Sequence, residues 1–145
     1  MYNRILLPTD GTELCERAIR HGIALAKLAQ AKLIGVTVTH PLHSALPRSF
    51  IPKNLAAIIH SETVKVADEK LAVVRRLAGA EGVEFENVRQ SSDHPREAIL
   101  RTAKDKQCDL IVMASHGWRG VSAVVLGSET QKVLTHASIP VLVVR

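Results

Sequence analysis

Aromatic residues and cysteines are scarce in this sequence. One Trp, one Tyr and two Phe make up 3% of the 145 residues, so the core must be built from aliphatic side chains. Two cysteines, Cys15 and Cys108, are too few for a disulfide framework and do not form a C-x-x-C pair, which favours a reducing compartment. The 8 glycines and 6 prolines exclude a collagen-like or low-complexity chain. We therefore expect one globular domain in the cytoplasm.

Long hydrophobic runs are missing as well. No uncharged stretch provides the roughly 20 apolar residues of a spanning helix, and the apolar run near the amino terminus is too short for a signal peptide. The net charge of +5 is modest, and no run of basic residues is longer than two. With so few aromatic side chains to stack on bases, nucleic-acid binding is not expected. A small phosphate-bearing ligand agrees with the positive charge equally well.

Short apolar runs and longer amphipathic segments alternate along the chain. The short runs predict five strands, at residues 3–7, 32–38, 83–88, 109–114 and 140–144. Helical spacing of apolar residues predicts four helices, at residues 12–29, 55–80, 95–106 and from 128 onward. Pro95 suits a first helical position, with His94 or Asp93 as the cap. The alternation predicts an α/β fold: an open sheet of five parallel strands in the order 3-2-1-4-5, with helices on both faces.

The segment 39–54 has neither pattern. It contains three prolines, Pro41, Pro47 and Pro52, and is long for a connection between elements. It is either a lid or a plain surface connector. His40 and His43 have an H-x-x-H spacing, but no third ligand lies nearby in sequence, so a metal site is not expected there.

Ligands of open α/β sheets bind beyond the carboxyl ends of the strands, where the strand order reverses. After the fourth strand, Gly117 and Gly120 would let backbone N–H groups approach an anion. Farther on, Ser128 and Gln131 have the S-x-x-Q spacing of a capping box, which predicts a helix start behind Gly127. The unpaired N–H groups and positive dipole end of such a helix suit phosphate. A Val at position 127 would be expected to block the backbone approach and to strain the helix start.

Other nucleotide and hydrolase motifs are missing from the sequence. It has no G-x-x-x-x-G-K-[ST] phosphate loop, no G-x-G-x-x-G after the first strand, and no G-x-S-x-G nucleophile elbow. Asp10, at the end of the first strand, is a candidate for ribose or metal contact, or simply a turn residue before Gly11. His116 is a candidate phosphate contact or a solvated loop residue.

The segment from Ala114-Ser115-His116-Gly117 through nine residues to Gly127-Ser128 resembles the nucleotide motif G-x2-G-x9-G-[S/T] of the universal stress protein family. The first strand, at 4–10, the fourth, at 109–113, and the last, at 139–144, also resemble those of the family. The resemblance covers essentially the whole chain. It implies an adenine-nucleotide site, whose contacts fall on Pro8, Thr9, Asp10, Val38, Met113, Ala114, Gly117, Gly127, Ser128, Glu129 and Thr130. To these we add His116.

One position departs from the motif, because Ala114 stands where the family has its first Gly. If that Gly served a positive φ, Ala would cost about 1 kcal/mol and distort the site. If it served only a close approach to ribose, one methyl group is tolerated. Both alternatives are open from the sequence.

The resemblance implies a stress-response protein that binds ATP, or ADP or AMP, with Mg²⁺ as an accompanying ion. Nucleotide would order residues 117–127 and so change what the surface binds. No general base or nucleophile is convincingly placed, so we do not expect an enzyme. Two alternatives remain: a nucleotide-free dimeric interaction module of the same fold, and a slow ATP hydrolase.

The sequence of the last predicted strand indicates that the protein forms an oligomer. Pro140 to Val144 is apolar and would be an edge strand in the order 3-2-1-4-5, with unpaired N–H and C=O groups that invite pairing with another chain. A two-fold pairing with its own copy would close the edge. Members of the family that the sequence resembles commonly dimerise through this strand, so we expect a homodimer.

Overall fold

The computed structural model describes residues 1–41, 51–115 and 126–145. Five strands alternate with four helices, as the sequence predicts, with bounds that differ by a few residues. Their ranges are β1 Arg4–Pro8, α1 Glu13–Ala29, β2 Lys32–Thr39, α2 Lys53–Ala80, β3 Phe85–Ser91, α3 Pro95–Asp105, β4 Leu110–Ala114, α4 Ser128–His136 and β5 Val141–Val144.

The five strands form one parallel sheet in the order β3-β2-β1-β4-β5, which confirms the predicted topology. In the centre, Ile5 of β1 lies opposite Leu33 of β2 on one side and Leu110 of β4 on the other. The strand order reverses at β1, because the chain runs from β1 to β2 and β3 in one direction and returns to β4 in the other. The carboxyl ends of β1, β2 and β4 therefore meet at one edge.

The three central strands, β1, β2 and β4, are buried on both faces, which explains their continuous apolar runs. Ile5 and Leu7 of β1 pack into a core cluster with α1 and α2, whereas Leu6 packs into a second cluster with α3 and α4. All three side chains are fully buried. The helices thus cover both faces of the sheet in pairs.

The carboxylate of Asp109 fastens the start of β4 to β1. It accepts hydrogen bonds from the backbone N–H groups of Asn3, at 2.7 Å, and Arg4, at 3.1 Å. Burial alone would raise the pKa of Asp109, but the hydrogen bonds from Asn3 and Arg4 outweigh it and lower that pKa below its ordinary value.

β5 lies at the edge of the sheet, as predicted. The N–H groups of Ile111 and Ser115 in and after β4 donate to the carbonyls of Pro140 and Val144. Because backbone groups alternate sides along a strand, the N–H and C=O of Val143 are directed away from β4. Leu142 is 38% exposed.

Among the described residues, none of the helices has both the length and the apolar composition that crossing a bilayer would require.

Candidate functional site

A cavity of about 480 Å³ opens at the edge where the carboxyl ends of β1, β2 and β4 meet. We call it the strand-end cavity. The strand ends form part of its wall, and the first turn of α1 and the amino-terminal ends of α3 and α4 also line it. Its volume is in the range of small-molecule sites in proteins, about 300–1,000 Å³.

Every predicted site residue that the structure describes lines the strand-end cavity. These residues are Pro8, Thr9, Asp10, Val38, Met113, Ala114, Gly127, Ser128, Glu129 and Thr130. Two others, His116 and Gly117, lie outside the described residues, as do His43 and most of the 117–127 segment that nucleotide was expected to order.

Sequence reasoning did not assign several further residues of the wall to the site. They are Cys15, Val36, His40, Asp93, Pro95 and Ile99. Val36 could have been found, because it lies two residues before Val38 on the same face of β2. The others come from α1, from the end of β2 and from the start of α3, and no local pattern links them to the strand ends.

The middle of the cavity wall is apolar. Val36 and Val38 of β2, Ile99 of α3 and Met113 of β4 line it together with Pro8. Ile99 and Met113 are almost fully buried, at 5% and 6% exposure, so their side chains are held in place by the core. Such a wall suits a flat apolar group such as a nucleobase.

The turn between β1 and α1 is held by its own side chains. The N–H of Thr9 donates to the carbonyl of Val36, at 2.9 Å. One carboxylate oxygen of Asp10 accepts from both the N–H and the hydroxyl of Thr12, at 3.0 and 2.7 Å. Thr12 in turn caps α1 by accepting from the N–H of Cys15. Asp10 therefore performs the turn role considered from the sequence, and it does so on the wall of the cavity.

The thiol of Cys15 lies on the same wall and is buried. Burial, and a hydrogen bond with Asp10, raise the pKa of Cys15 to about 11. The thiol is therefore protonated at neutral pH and is a poor nucleophile.

The start of α4 is fastened to the end of β4. The N–H of Gly127 donates to the carbonyl of Ser115, at 2.7 Å, and the hydroxyl of Thr130 donates to the carbonyl of Ala114, at 2.9 Å. The first N–H groups of a helix have no acceptor within it, and they lie at the positive end of its dipole. Those of α4 lie on the cavity wall, where they can bind an anion.

The predicted capping box at this helix start is wrong. Gly127 is the cap residue and Ser128 is already the first residue of α4, so the Ser128 side chain is one position too far along to cap. Among the described residues, no side chain caps the helix. The prediction that valine at position 127 would strain the helix start is also wrong. Gly127 has a φ of −58° and a ψ of 144°, and any residue can adopt these angles.

Ala114 causes no backbone strain. It is an ordinary residue of β4 opposite Val144 and is not among the described residues with a positive φ. Its side chain belongs to the core cluster on the α1 and α2 face. Of the two alternatives left open by the sequence, the structure excludes the one that required a positive φ.

Glu129, the second residue of α4, joins the starts of two helices. One carboxylate oxygen accepts from the backbone N–H of Arg96 near the start of α3, at 3.0 Å. The other accepts from the ammonium of Lys132, at 2.7 Å. The side chain of Glu129 is thus held at the cavity wall, and only its backbone N–H is suited to an anion.

Across residues 1–41, 51–115 and 126–145, no cluster of three or more His, Cys, Asp or Glu side chains is arranged to hold a metal ion. His40 and Asp93 come within 4.0 Å of each other on the cavity wall, with no third ligand among the described residues.

Comparison with known proteins agrees with this architecture. The sequence profile of the Universal stress protein family matches residues 1–145. A universal stress protein of Thermus aquaticus is 35% identical over 145 residues, and universal stress protein YxiE of Bacillus subtilis is 30% identical over 149. Both alignments cover 100% of this chain and 100% of the relative.

Solved structures show the same fold. Hypothetical protein MJ0577 of Methanocaldococcus jannaschii superposes with a TM-score of 0.84 at 28% identity, covering 99% of this chain and 96% of its own. A universal stress protein in complex with cAMP gives 0.74 at 23% identity, over 99% and 97%. One from Archaeoglobus fulgidus in complex with dAMP gives 0.68 at 20% identity, over 99% and 98%.

Proposed function

The chain belongs to the universal stress protein family, and we propose that it binds an adenine nucleotide in the strand-end cavity. The observation that carries the proposal is the meeting of two chemically different surfaces in one cavity. An apolar wall from β2, α3 and β4 suits the base, and the N–H groups at the start of α4 suit a phosphate.

The relatives support the choice of ligand. Two proteins of the same fold carry cAMP and dAMP, which share the adenine base and a single phosphate group. In this chain the base would lie against Val36, Val38 and Met113, and the phosphate would accept hydrogen bonds from the backbone of Ser128 and its neighbours. Ala114, without backbone strain, leaves this arrangement possible.

ATP, ADP and AMP are the candidate nucleotides. The described part of the chain supplies no cluster of side chains for a metal, so Mg²⁺ would be held chiefly by the phosphates of the nucleotide. We infer a regulatory role rather than turnover. Nucleotide would change the surface around the cavity and thereby the partners that the protein binds during stress in the cytoplasm.

We also propose that two copies pair through β5. Its outward backbone groups pair with no other strand in the described part of the chain, and the exposed side chain of Leu142 lies beside them. A two-fold axis through this edge would pair β5 with β5 and extend the sheet across the dimer.

Two observations test nucleotide binding. Purified protein should release an adenine nucleotide on denaturation, detected by ultraviolet absorbance and mass spectrometry. Calorimetry with ATP, ADP and AMP, each with and without Mg²⁺, should show saturable binding to the ligand-free protein. The absence of both would favour the nucleotide-free interaction module, and steady release of phosphate from ATP would favour the slow hydrolase.

A pair of Val→Trp variants tests whether the nucleotide binds in the strand-end cavity. Val38→Trp would fill the space beside the apolar wall and should abolish nucleotide binding. Val66→Trp makes the same change on the outer surface of α2, where Val66 is 45% exposed, and should leave binding unchanged. Equal effects of the two variants would contradict the assignment.

A further inference from the structure

The charged residues in the described part of the strand-end cavity wall are mostly acidic. Three acidic residues, Asp10, Asp93 and Glu129, line it together with His40. In the described part of the wall there is no Lys or Arg.

Glu129 belongs to the anion-binding end itself. It is the second residue of α4, so its own backbone N–H is one of the groups expected to bind phosphate. Its carboxylate cannot swing freely away, since one oxygen is bound to the N–H of Arg96 and the other to Lys132. The ion pair with Lys132 compensates the charge only in part, because both side chains are partly exposed and the pair is screened by water.

We propose that Glu129 limits the number of phosphate groups that the site accepts, so that adenine nucleotides with one phosphate bind more tightly than the di- and triphosphate. This inference rests on the proposed function. The first phosphate gains the N–H groups and the dipole of α4. Each further phosphate adds negative charge near a fixed carboxylate, and the repulsion between like charges grows with every charge added.

Glu129→Gln tests the effect of the negative charge separately from that of the side-chain packing. A glutamine keeps an oxygen that can accept from the N–H of Arg96, so the starts of α3 and α4 remain joined. The negative charge is lost. Glu97→Gln is the matched control: Glu97 lies in the first turn of α3, also contacts Arg96, and is not among the residues of the cavity wall.

The test is calorimetry of AMP, ADP and ATP with the whole chain in EDTA, so that no divalent cation screens the phosphates. The unmodified protein should bind AMP about tenfold more tightly than ATP. Glu129→Gln should tighten ATP binding about tenfold and AMP binding by no more than about threefold. Glu97→Gln should leave the ratio of the two affinities unchanged. Circular dichroism and thermal melting confirm that each variant is folded.

Three results would overturn the inference. ATP could bind the unmodified protein as tightly as AMP does, or Glu129→Gln could change both affinities by the same factor, or Glu97→Gln could change their ratio as much as Glu129→Gln does. Each of these leaves nucleotide binding intact. If none of the three nucleotides binds, the proposed function itself fails, and the role of Glu129 fails with it.

Discussion

The hydroxyl of Thr130 donates a hydrogen bond to the carbonyl of Ala114, joining the first turn of α4 to the last residue of β4. Thr130 is 4% exposed, so neither group has water as an alternative partner. The contact places the start of a helix beside the end of a strand, and both line the strand-end cavity. The backbone of the anion-binding end is thus positioned by a side chain.

We expect Thr130→Val to destabilise the protein and weaken phosphate binding together. Valine has nearly the same shape but leaves the Ala114 carbonyl without its donor, which should lower the free energy of unfolding by about 1–3 kcal/mol. Urea denaturation measures the change, and calorimetry with AMP measures the affinity. Thr135→Val is the control, because the hydroxyl of Thr135 bonds within α4 on the exposed surface. Similar losses in the two variants would contradict a special role for Thr130.

Gly127→Val should remove the part of the affinity that depends on phosphate and leave the fold intact. The backbone angles at Gly127 are allowed for valine, so stability should be nearly unchanged. Its side chain would hinder the approach of phosphate to the first N–H groups of α4. We expect AMP to lose about tenfold or more in affinity, since charge-assisted hydrogen bonds are lost, whereas adenosine binds as before. Unchanged AMP binding would show that phosphate does not lie there.

Substitutions in β5 should weaken the proposed dimer. Val143→Pro removes an N–H that is directed away from β4, so the sheet of one chain keeps its hydrogen bonds while the edge loses a donor. Leu142→Lys places charge beside the same edge. Sedimentation equilibrium should show a shift from dimer toward the 15.8 kDa monomer in both variants. Leu28→Lys, at an 81% exposed position in α1, should not shift it. A monomeric unmodified chain at high concentration would refute the dimer.

Asp109 should make stability depend on pH in the acid range. The pKa of Asp109 is lowered in the folded protein. The carboxylate therefore contributes fully to the free energy of unfolding above its pKa in the unfolded chain, which is near 4. That contribution is lost as the pH falls through the lower pKa of the folded state. Asp109→Asn should be less stable than the unmodified protein at pH 7, because an amide donor would face the N–H of Asn3 or Arg4. The difference should shrink toward pH 2 in urea denaturation. Asp105→Asn, at the exposed end of α3, should show no such trend.

Most of the architecture could be predicted because it depends on local patterns. Continuous apolar runs such as 110–114 indicate strands that are covered on both faces, and Pro95 marks the first residue of α3 with His94 before it. The part of the candidate site that lies at the ends of the strands could also be predicted. Val38, Met113 and Gly127 are found there because the order of the strands brings those ends together.

The predictions from sequence failed where local structure depends on contacts between residues that are far apart in the chain. Ser128 does not cap α4, because the helix start is set by the bonds of Gly127 and Thr130 to the end of β4. Asp93 and Ile99 line the cavity because the start of α3 packs beside the strand ends. No residue spacing in the sequence predicts that contact. The helical spacing that predicted α2 also does not tell which of its turns are buried: Ile58 is 58% exposed, and the first buried residue of the helix is Ala67.

A crystal structure of the protein grown with AMP tests the central claim most directly. We predict electron density for the nucleotide in the strand-end cavity, with the base between Val38 and Met113 and the phosphate within hydrogen-bond distance of the backbone N–H groups of Ser128 and Glu129. AMP bound at another place, with the strand-end cavity empty, would contradict the account.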